Sequence, residues 1–281
     1  SAPSGGLPRR EPPPAAPPPS PVPNSLSYSS LAAYKTCGYR FYVERVLGLP
    51  SVEPSLGAGG ASPGLGPAER GTVVHALLEH VDFRRPVLPS VEAVRAQAAM
   101  SADEAQEIVE LLERFMRTDL AARLGRCRGV QREQPFGFLL EQTLITGVLD
   151  VIARERPGQA LVVDYKTDRL DGAEPAAIVA DRYGTQRLVY ALAALRDGAR
   201  EVEVVHVFLE RPESPAVYRV SDADAPRLQA ELGKAVGGLL AGSYRVTEAP
   251  HRGVCSGCPA EGGLCSWPLE MTRREAADRL F

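Results

Sequence analysis

The residues best able to do chemistry lie in two apolar runs. One is Gly147-Val148-Leu149-Asp150-Val151-Ile152, the other Leu161-Val162-Val163-Asp164-Tyr165-Lys166, and Arg156-Pro157-Gly158-Gln159 between them reads as a tight turn. Strands joined this way lie side by side, so Asp150 and Asp164 can reach a common spot. Asp164 and Lys166 are two apart and leave the same face of one strand. Carboxylates in such apolar surroundings are costly unless something neutralises them. A hard divalent cation, Mg²⁺ or Mn²⁺, does so with carboxylate, carbonyl and water ligands. It also acidifies a bound water and stabilises charge on a phosphoryl oxygen. Lys166 could then orient the water or hold the scissile phosphate; the plainer reading is an exposed cross-strand ion pair.

Three further features join this set. His75 sits on an apolar helix face beside Val74 and Leu78, as a ligand or as a core histidine. Glu133 enters the first strand, as a ligand or as a solvated strand end. Gln186 and Tyr190 are four apart on a helix and share a face. The cysteines suggest a second centre. Cys37 lies early, and Cys255, Cys258 and Cys265 are packed together late in the chain. Four thiolates suit either tetrahedral Zn²⁺ or a 4Fe–4S cluster. Either closes a loop of more than 200 residues and ties the N-terminal helix to the C-terminal tail. Trp267 and Pro268 are placed to pack over that site. Cys127 stands apart as a free thiol with no assigned role.

The ordered set His75, Glu133, Asp150, Asp164-x-Lys166 and Gln186-xxx-Tyr190 resembles the PD-(D/E)xK nucleases of the RecB-like branch, over residues 28–267. That resemblance implies a restriction-endonuclease-like α/β core, with a mixed central sheet flanked by helices. It implies that His75, Glu133, Asp150 and Asp164 bind Mg²⁺ or Mn²⁺ and that Lys166 assists the attacking water. Gln186 and Tyr190 would contact DNA or position the lysine. One cysteine before the core and three after it look like the iron–sulfur staple of AddB-type nucleases. Their upstream helix carries the same Cys-x-Tyr-Arg-Phe-Tyr pattern. Cys37, Cys255, Cys258 and Cys265 would thus hold a 4Fe–4S cluster, with Zn²⁺ the alternative. Two departures stand out: six residues separate Cys258 from Cys265, where the family usually has one fewer, and Gly38 stands where proline is frequent.

The same resemblance implies the C-terminal nuclease module of a helicase–nuclease that resects double-strand breaks. It would act on single-stranded ends or unwound duplex, with a linked upstream helicase domain and a partner subunit. One alternative is a stand-alone exonuclease like the CRISPR-associated adaptation nucleases. Another is a catalytically silent DNA-binding module of a helicase. The proline-rich leader argues against the first, and intact Asp150, Asp164 and Lys166 against the second.

The elements that must position these residues follow from the pattern. The chain has 281 residues, net charge −3 and 44% hydrophobic residues, an ordinary globular composition. No apolar window is long enough for a membrane span, and no secretory leader is visible, so a cytoplasmic setting is expected. Ser1 opens the sequence. Residues 1–24 hold ten of the 25 prolines and read as an extended linker, a sign of a longer parent protein. Residues 25–281 are expected to form one nuclease domain. Its expected helices cover 24–49, 69–83, 90–122 in two pieces, 173–196 and 222–241. Its strands cover 136–140, 144–153, 160–166 and 203–210, and 251–267 is cysteine-rich loop. Arg114, Arg117, Arg123, Arg126, Arg128 and Arg132 face one acid, Asp119, and form either a DNA-backbone patch or a solvated surface. Tyr34, Tyr39 and Tyr42 either stack bases or pack the cysteine-bearing helix onto the core.

Overall fold

The computed structural model describes residues 22–52 and 64–276. Nearly all of the expected linker, and residues 53–63, lie outside the described residues. The chain opens with β1 (Ser25–Ser27), α1 (Tyr28–Thr36), α2 (Gly38–Phe41) and a π-helical turn over Tyr42–Val46. Helices α3 (Pro67–Glu79), α4 (Val91–Arg95), α5 (Ala102–Met116) and α6 (Asp119–Arg126) follow. A meander of β2 (Gly129–Leu140), β3 (Thr143–Arg156) and β4 (Gln159–Lys166) comes next. Then come α7 (Pro175–Ile178), a π-helical segment over Val179–Tyr183, α8 (Gly184–Arg196), β5 (Glu201–Phe208), β6 (Ala216–Ser221) and α9 (Ala225–Leu240). Two short helices, α10 (Arg252–Cys255) and α11 (Leu269–Arg273), lie in the tail.

The helix starts are set chemically. Pro67 occupies the first turn of α3, and Glu69 accepts the Gly66 N–H at 3.0 Å. Ser101 and Glu104 cap α5 reciprocally: Ser101 Oγ accepts the Glu104 N–H and Glu104 accepts the Ser101 N–H.

The sheet is mixed and six-stranded, in the order β1-β3-β4-β5-β6 with β2 on the other edge of β3. β1 runs parallel to β3 and β4 parallel to β5; the remaining pairs are antiparallel. Each face carries its own core. On one, Leu188–Ala194 of α8 and Leu228, Leu232 and Val236 of α9 pack on Ile152, Val162 and Val204. On the other, Val74 and Leu78 of α3 and Ile108, Leu112 and Phe115 of α5 pack on Val151, Val163 and Val205. This is the helix-flanked mixed sheet expected from the sequence.

One irregularity shapes the site. In β2, Val130 belongs to the second core, but Phe136, Phe138 and Leu140 belong to the first, although all four are even-numbered. In β3, Leu149 faces the first core and Val151 the second. A regular strand cannot do this, because its side chains alternate with period two. Both strands exchange faces at one place, where the ladder steps from Arg132↔Val151 to Gln134↔Leu149 without a change of register. The residues facing each other in the gap are Glu133 and Asp150. Glu133 has φ +44°, a left-handed conformation that costs a non-glycine residue roughly 1–2 kcal/mol.

Several expected boundaries moved. The single helix over 24–49 is a strand and two helices. Ser27, in β1, accepts the Ser30 N–H and starts α1, and Cys37 breaks the run with φ −159°. The first strand of the meander starts at Gly129 rather than Phe136, because pairing with β3 carries its polar half. The helical stretch 90–122 is three helices, each with its own Ser or Thr cap. The helix over 173–196 is broken by the π-helical segment, a feature that gathers at functional sites. β1 and β6 have too short a pattern to stand out in the sequence.

Candidate active site

Three elements converge where the strands exchange faces. His75 of α3, Glu133 of β2 and Asp150 of β3 each bring a ligand atom to within 4.8 Å of the others. His75 Nε2 lies 3.1 Å from the Tyr165 carbonyl, which can only accept, so the neutral ring carries its proton there. Nδ1 is left facing Asp150 Oδ2 at 3.4 Å. The same Asp150 oxygen accepts the Tyr165 N–H at 2.9 Å. Asp150 thereby satisfies a β4 amide just past Val151↔Val163, the last pair of the β3–β4 ladder.

A second group adjoins the first. Lys166 Nζ sits 2.7 Å from Asp164 Oδ2 and donates to Gln186 Oε1 at 2.9 Å. Gln186 Nε2 in turn donates to Asp164 Oδ1 and to Tyr190 Oη, each at 2.9 Å. Lys166 Nζ also lies 4.1 Å from the centre of the Tyr183 ring, a cation–π placement. Asp164 is 1% exposed. Its Oδ2, though close to the ammonium, receives no hydrogen bond of acceptable geometry.

Burial first, then the neighbouring Asp164 charge, raises the Asp150 carboxyl above the usual aspartate range. Burial and the Asp150 charge raise Glu133 likewise. Burial pulls His75 down, but its hydrogen bond and charge pairing with Asp150 outweigh that and leave it raised. These shifts favour the protonated form of all three groups, and a bound cation could take the place of those protons. An imidazole nitrogen, two carboxylates and a buried Asp164 oxygen lacking a hydrogen bond suit a hard divalent ion.

The placement of the sequence-derived residues is direct. His75, Glu133 and Asp150 form one tight group. Asp164, Lys166, Gln186 and Tyr190 form a second, linked by hydrogen bonds. Asp164 turns toward Gln186 and Lys166 and is not among the three convergent ligand atoms, although its charge acts on Asp150.

Sequence reasoning missed three neighbours. His206 pairs with Asp164 across β4–β5, is fully buried, and has neither ring nitrogen hydrogen-bonded. Its Nε2 lies 4.0 Å from Asp164 Oδ2, and its ring stacks on Tyr183. A lone histidine in the alternating run Glu203–Glu210 was the available signal. Tyr28 packs beside Tyr190 with ring centres 6.3 Å apart, and Lys35 donates to Thr185, next to Gln186. Both come from α1, whose C-terminal cap is Cys37.

The four cysteines named above line one small cavity together with Trp267 and Arg40. Arg40 donates to the Val254 and Ser256 carbonyls, and Val52 N–H to Gly257. Tyr34 donates to Ser243 O, Tyr39 to Leu264 O, and Tyr42 stacks on Tyr244 at 4.8 Å. These tyrosines pack the N-terminal helices onto the tail. Cys127 is buried, and its thiol donates to Arg123 O. The arginine run is largely engaged: Arg123 is held by Glu155 and Glu203, Arg117 by Glu113, and Arg114 donates to Glu210 O.

A fold of this kind, with this carboxylate and lysine arrangement on adjacent strands, is matched over residues 25–262 by the family described as the PD-(D/E)XK nuclease superfamily. The chain belongs to that superfamily and is a nuclease of its type. Among curated relatives, an ATP-dependent helicase/nuclease subunit of Bacillus cereus (strain G9842) is 34% identical over 158 residues. The match takes in 46% of this chain and 12% of that protein. The corresponding protein of Bacillus mycoides (strain KBAB4) is 33% identical with equal coverage. The chain thus matches only a small part of these relatives. A solved structure from Eubacterium rectale, provisionally named an exonuclease, is 12% identical with a TM-score of 0.48. It covers 78% of this chain and 81% of its own. No helix among the described residues is long and apolar enough to cross a membrane.

Proposed function

We propose that the chain is a Mg²⁺- or Mn²⁺-dependent deoxyribonuclease acting exonucleolytically on single-stranded DNA. It would be the C-terminal nuclease module of a cytoplasmic helicase–nuclease that resects double-strand breaks, with a linked helicase domain and a partner subunit. The observation that carries this reading is the convergence of His75, Glu133 and Asp150 beside Asp164, Lys166 and Gln186. The first three, with Asp164, would hold the cation, which when bound supplies an acidified water and a counter-charge for the phosphate. Lys166 is fixed by Gln186 and Asp164 at the strand end, where it orients the water or holds the phosphate. Gln186 keeps Lys166 and Asp164 in place, and Tyr190 supports Gln186. The names of the Bacillus relatives support the helicase link.

Cys37, Cys255, Cys258 and Cys265 would hold a 4Fe–4S staple, with Zn²⁺ as the alternative. Their common cavity supports a shared centre.

The test is degradation of labelled single-stranded DNA with Mn²⁺. Lys166→Ala should lose about 10³-fold in cleavage, roughly 4 kcal/mol of barrier. Asp150→Asn should lose cleavage and metal binding together. Wild-type cleavage by Lys166→Ala overturns the mechanism.

A further inference from the structure

One concave patch of positive charge is left after the engaged arginines are set aside. A cavity of about 180 Å³ is lined by Arg84, Arg128 and Arg132, with Phe83, Cys127 and Asp82 completing much of its wall. Three separate parts of the chain meet there: the loop after α3, the end of α6 and strand β2. We propose that this cavity is a phosphate subsite that grips the backbone of the substrate strand beside the metal-binding trio. The proposal rests on the nuclease reading above and adds where the strand is held.

The local chemistry is built for an anion. The Arg132 guanidinium lies 5.0 Å over the Phe83 ring and donates through Nη2 to Val81 O at 2.5 Å. Its Nε is buried and has no hydrogen-bond partner, so the protein itself satisfies this cationic group only in part. Arg84 donates through Nη2 to Cys127 O and Arg128 O, fixing the bend between α6 and β2. Arg128 is exposed, and its side chain makes no hydrogen bond or ion pair among the described residues. The one lining acid, Asp82, already accepts the Arg84 N–H. The wall is tightly set: a Cβ on Gly125 would fall 2.5 Å from Phe83 O.

Guanidinium forks match phosphate oxygens bidentately. The volume is below that of a typical small-molecule pocket and suits one phosphate with its waters. Position supports the substrate strand as its source. Arg132 immediately precedes Glu133 on β2, so the cavity and the trio share one strand. Arg128 and Arg132 come from the arginine run singled out in the sequence, and Arg84 joins them from the loop after α3.

The experiment measures binding of a fluorescent single-stranded oligonucleotide by anisotropy, in EDTA, across a salt series. Each phosphate contact adds about 0.7 to the slope of log affinity against log salt for single strands. Arg128→Gln and Arg84→Gln should each weaken binding several-fold and lower that slope by about 0.7. Lys234→Gln, on α9 against the other face of the sheet, should leave both unchanged. Arg84→Gln also removes two structural hydrogen bonds, so Arg128→Gln is the decisive variant. If wild type cleaves DNA while Arg128→Gln binds with unchanged affinity and slope, the subsite is wrong and the nuclease reading stands. If wild type neither binds nor cleaves, both fail. Equal weakening by Lys234→Gln would reduce the effect to bulk charge and overturn the subsite.

Discussion

Gln186 bridges Asp164 and Lys166 with one amide: its Nε2 donates to the carboxylate and its Oε1 accepts from the ammonium, each at 2.9 Å. The amide is asymmetric, so it fits this pair in one orientation only. It also donates to Tyr190 Oη, which ties the arrangement to the buried middle of α8.

Replacing Gln186 by Leu keeps the side-chain size and removes both bridging bonds. Asp164 and Tyr190 each lose a partner in a buried setting, which costs about 1–3 kcal/mol. Cleavage should fall roughly 10²-fold, about 2.7 kcal/mol of barrier. Tyr190→Phe removes one hydrogen bond and should cost about 1 kcal/mol of stability. Melting curves with single-turnover cleavage separate the two effects. If Gln186→Leu cleaves like wild type, the bridge has no part in catalysis.

The raised carboxyls and His75 give a pH dependence to metal binding. Asp150 and Glu133 titrate above their unfolded values, so their contribution to apo stability is lost as pH rises through the folded values. His75 is raised too, and its contribution is lost as pH climbs past an ordinary histidine value of about 6.5. All three have the same sign: the empty site becomes more costly with rising pH, and a divalent ion relieves it. The gain in melting temperature on adding Mn²⁺ should therefore be larger at pH 8 than at pH 5, and absent in Asp150→Asn. A gain independent of pH would contradict the assignment of these ligands.

His206 has the opposite sign. Burial pushes its pKa down to about 4, against the partial opposition of the Asp164 charge. Its unfolded value is about 6.5, so the unfolded chain takes up the proton first as pH falls. Stability is full above about pH 6.5 and is lost on the way down to about pH 4, by roughly 3 kcal/mol. His206→Phe keeps a ring against Tyr183 and should lack this loss. Urea unfolding of both proteins in EDTA at pH 4.5 and pH 7 provides the comparison. Parallel acid sensitivity in the two would show that His206 carries none of it.

The cysteine cavity joins segments more than 200 residues apart in sequence. Cys255→Ala should lower the melting temperature and bleach any brown colour of anaerobically purified protein. Because α1 carries Cys37 at one end and packs Tyr28 and Lys35 near Gln186, cleavage should fall as well. Metal analysis with an absorption spectrum distinguishes iron from zinc. An unchanged melting curve would count against a staple of either kind.

The sequence by itself determined a good deal. Asp164-x-Lys166 implied one strand face, and the structure has those groups 2.7 Å apart. Gln186 and Tyr190 share a helix face and a hydrogen bond because helical spacing is local. The α/β class was legible from the order of helical and strand runs, whereas the mixed sheet flanked by helices was what the family resemblance implied. The arginine run was legible only as charge, and which arginines stay free depends on carboxylates as distant in sequence as Glu203. Tertiary structure alone decided the exchange of faces at Glu133 and Asp150. A period-two pattern contains no sign of a left-handed residue opposite an aspartate, since that conformation is imposed by the packing of two cores on one sheet. It alone placed His206 against Asp164 and separated Glu133 and Asp150, which meet His75, from the lysine-bound Asp164. Register across β4–β5 and the approach of α3 to the sheet are long-range relations, and no local residue pattern encodes them.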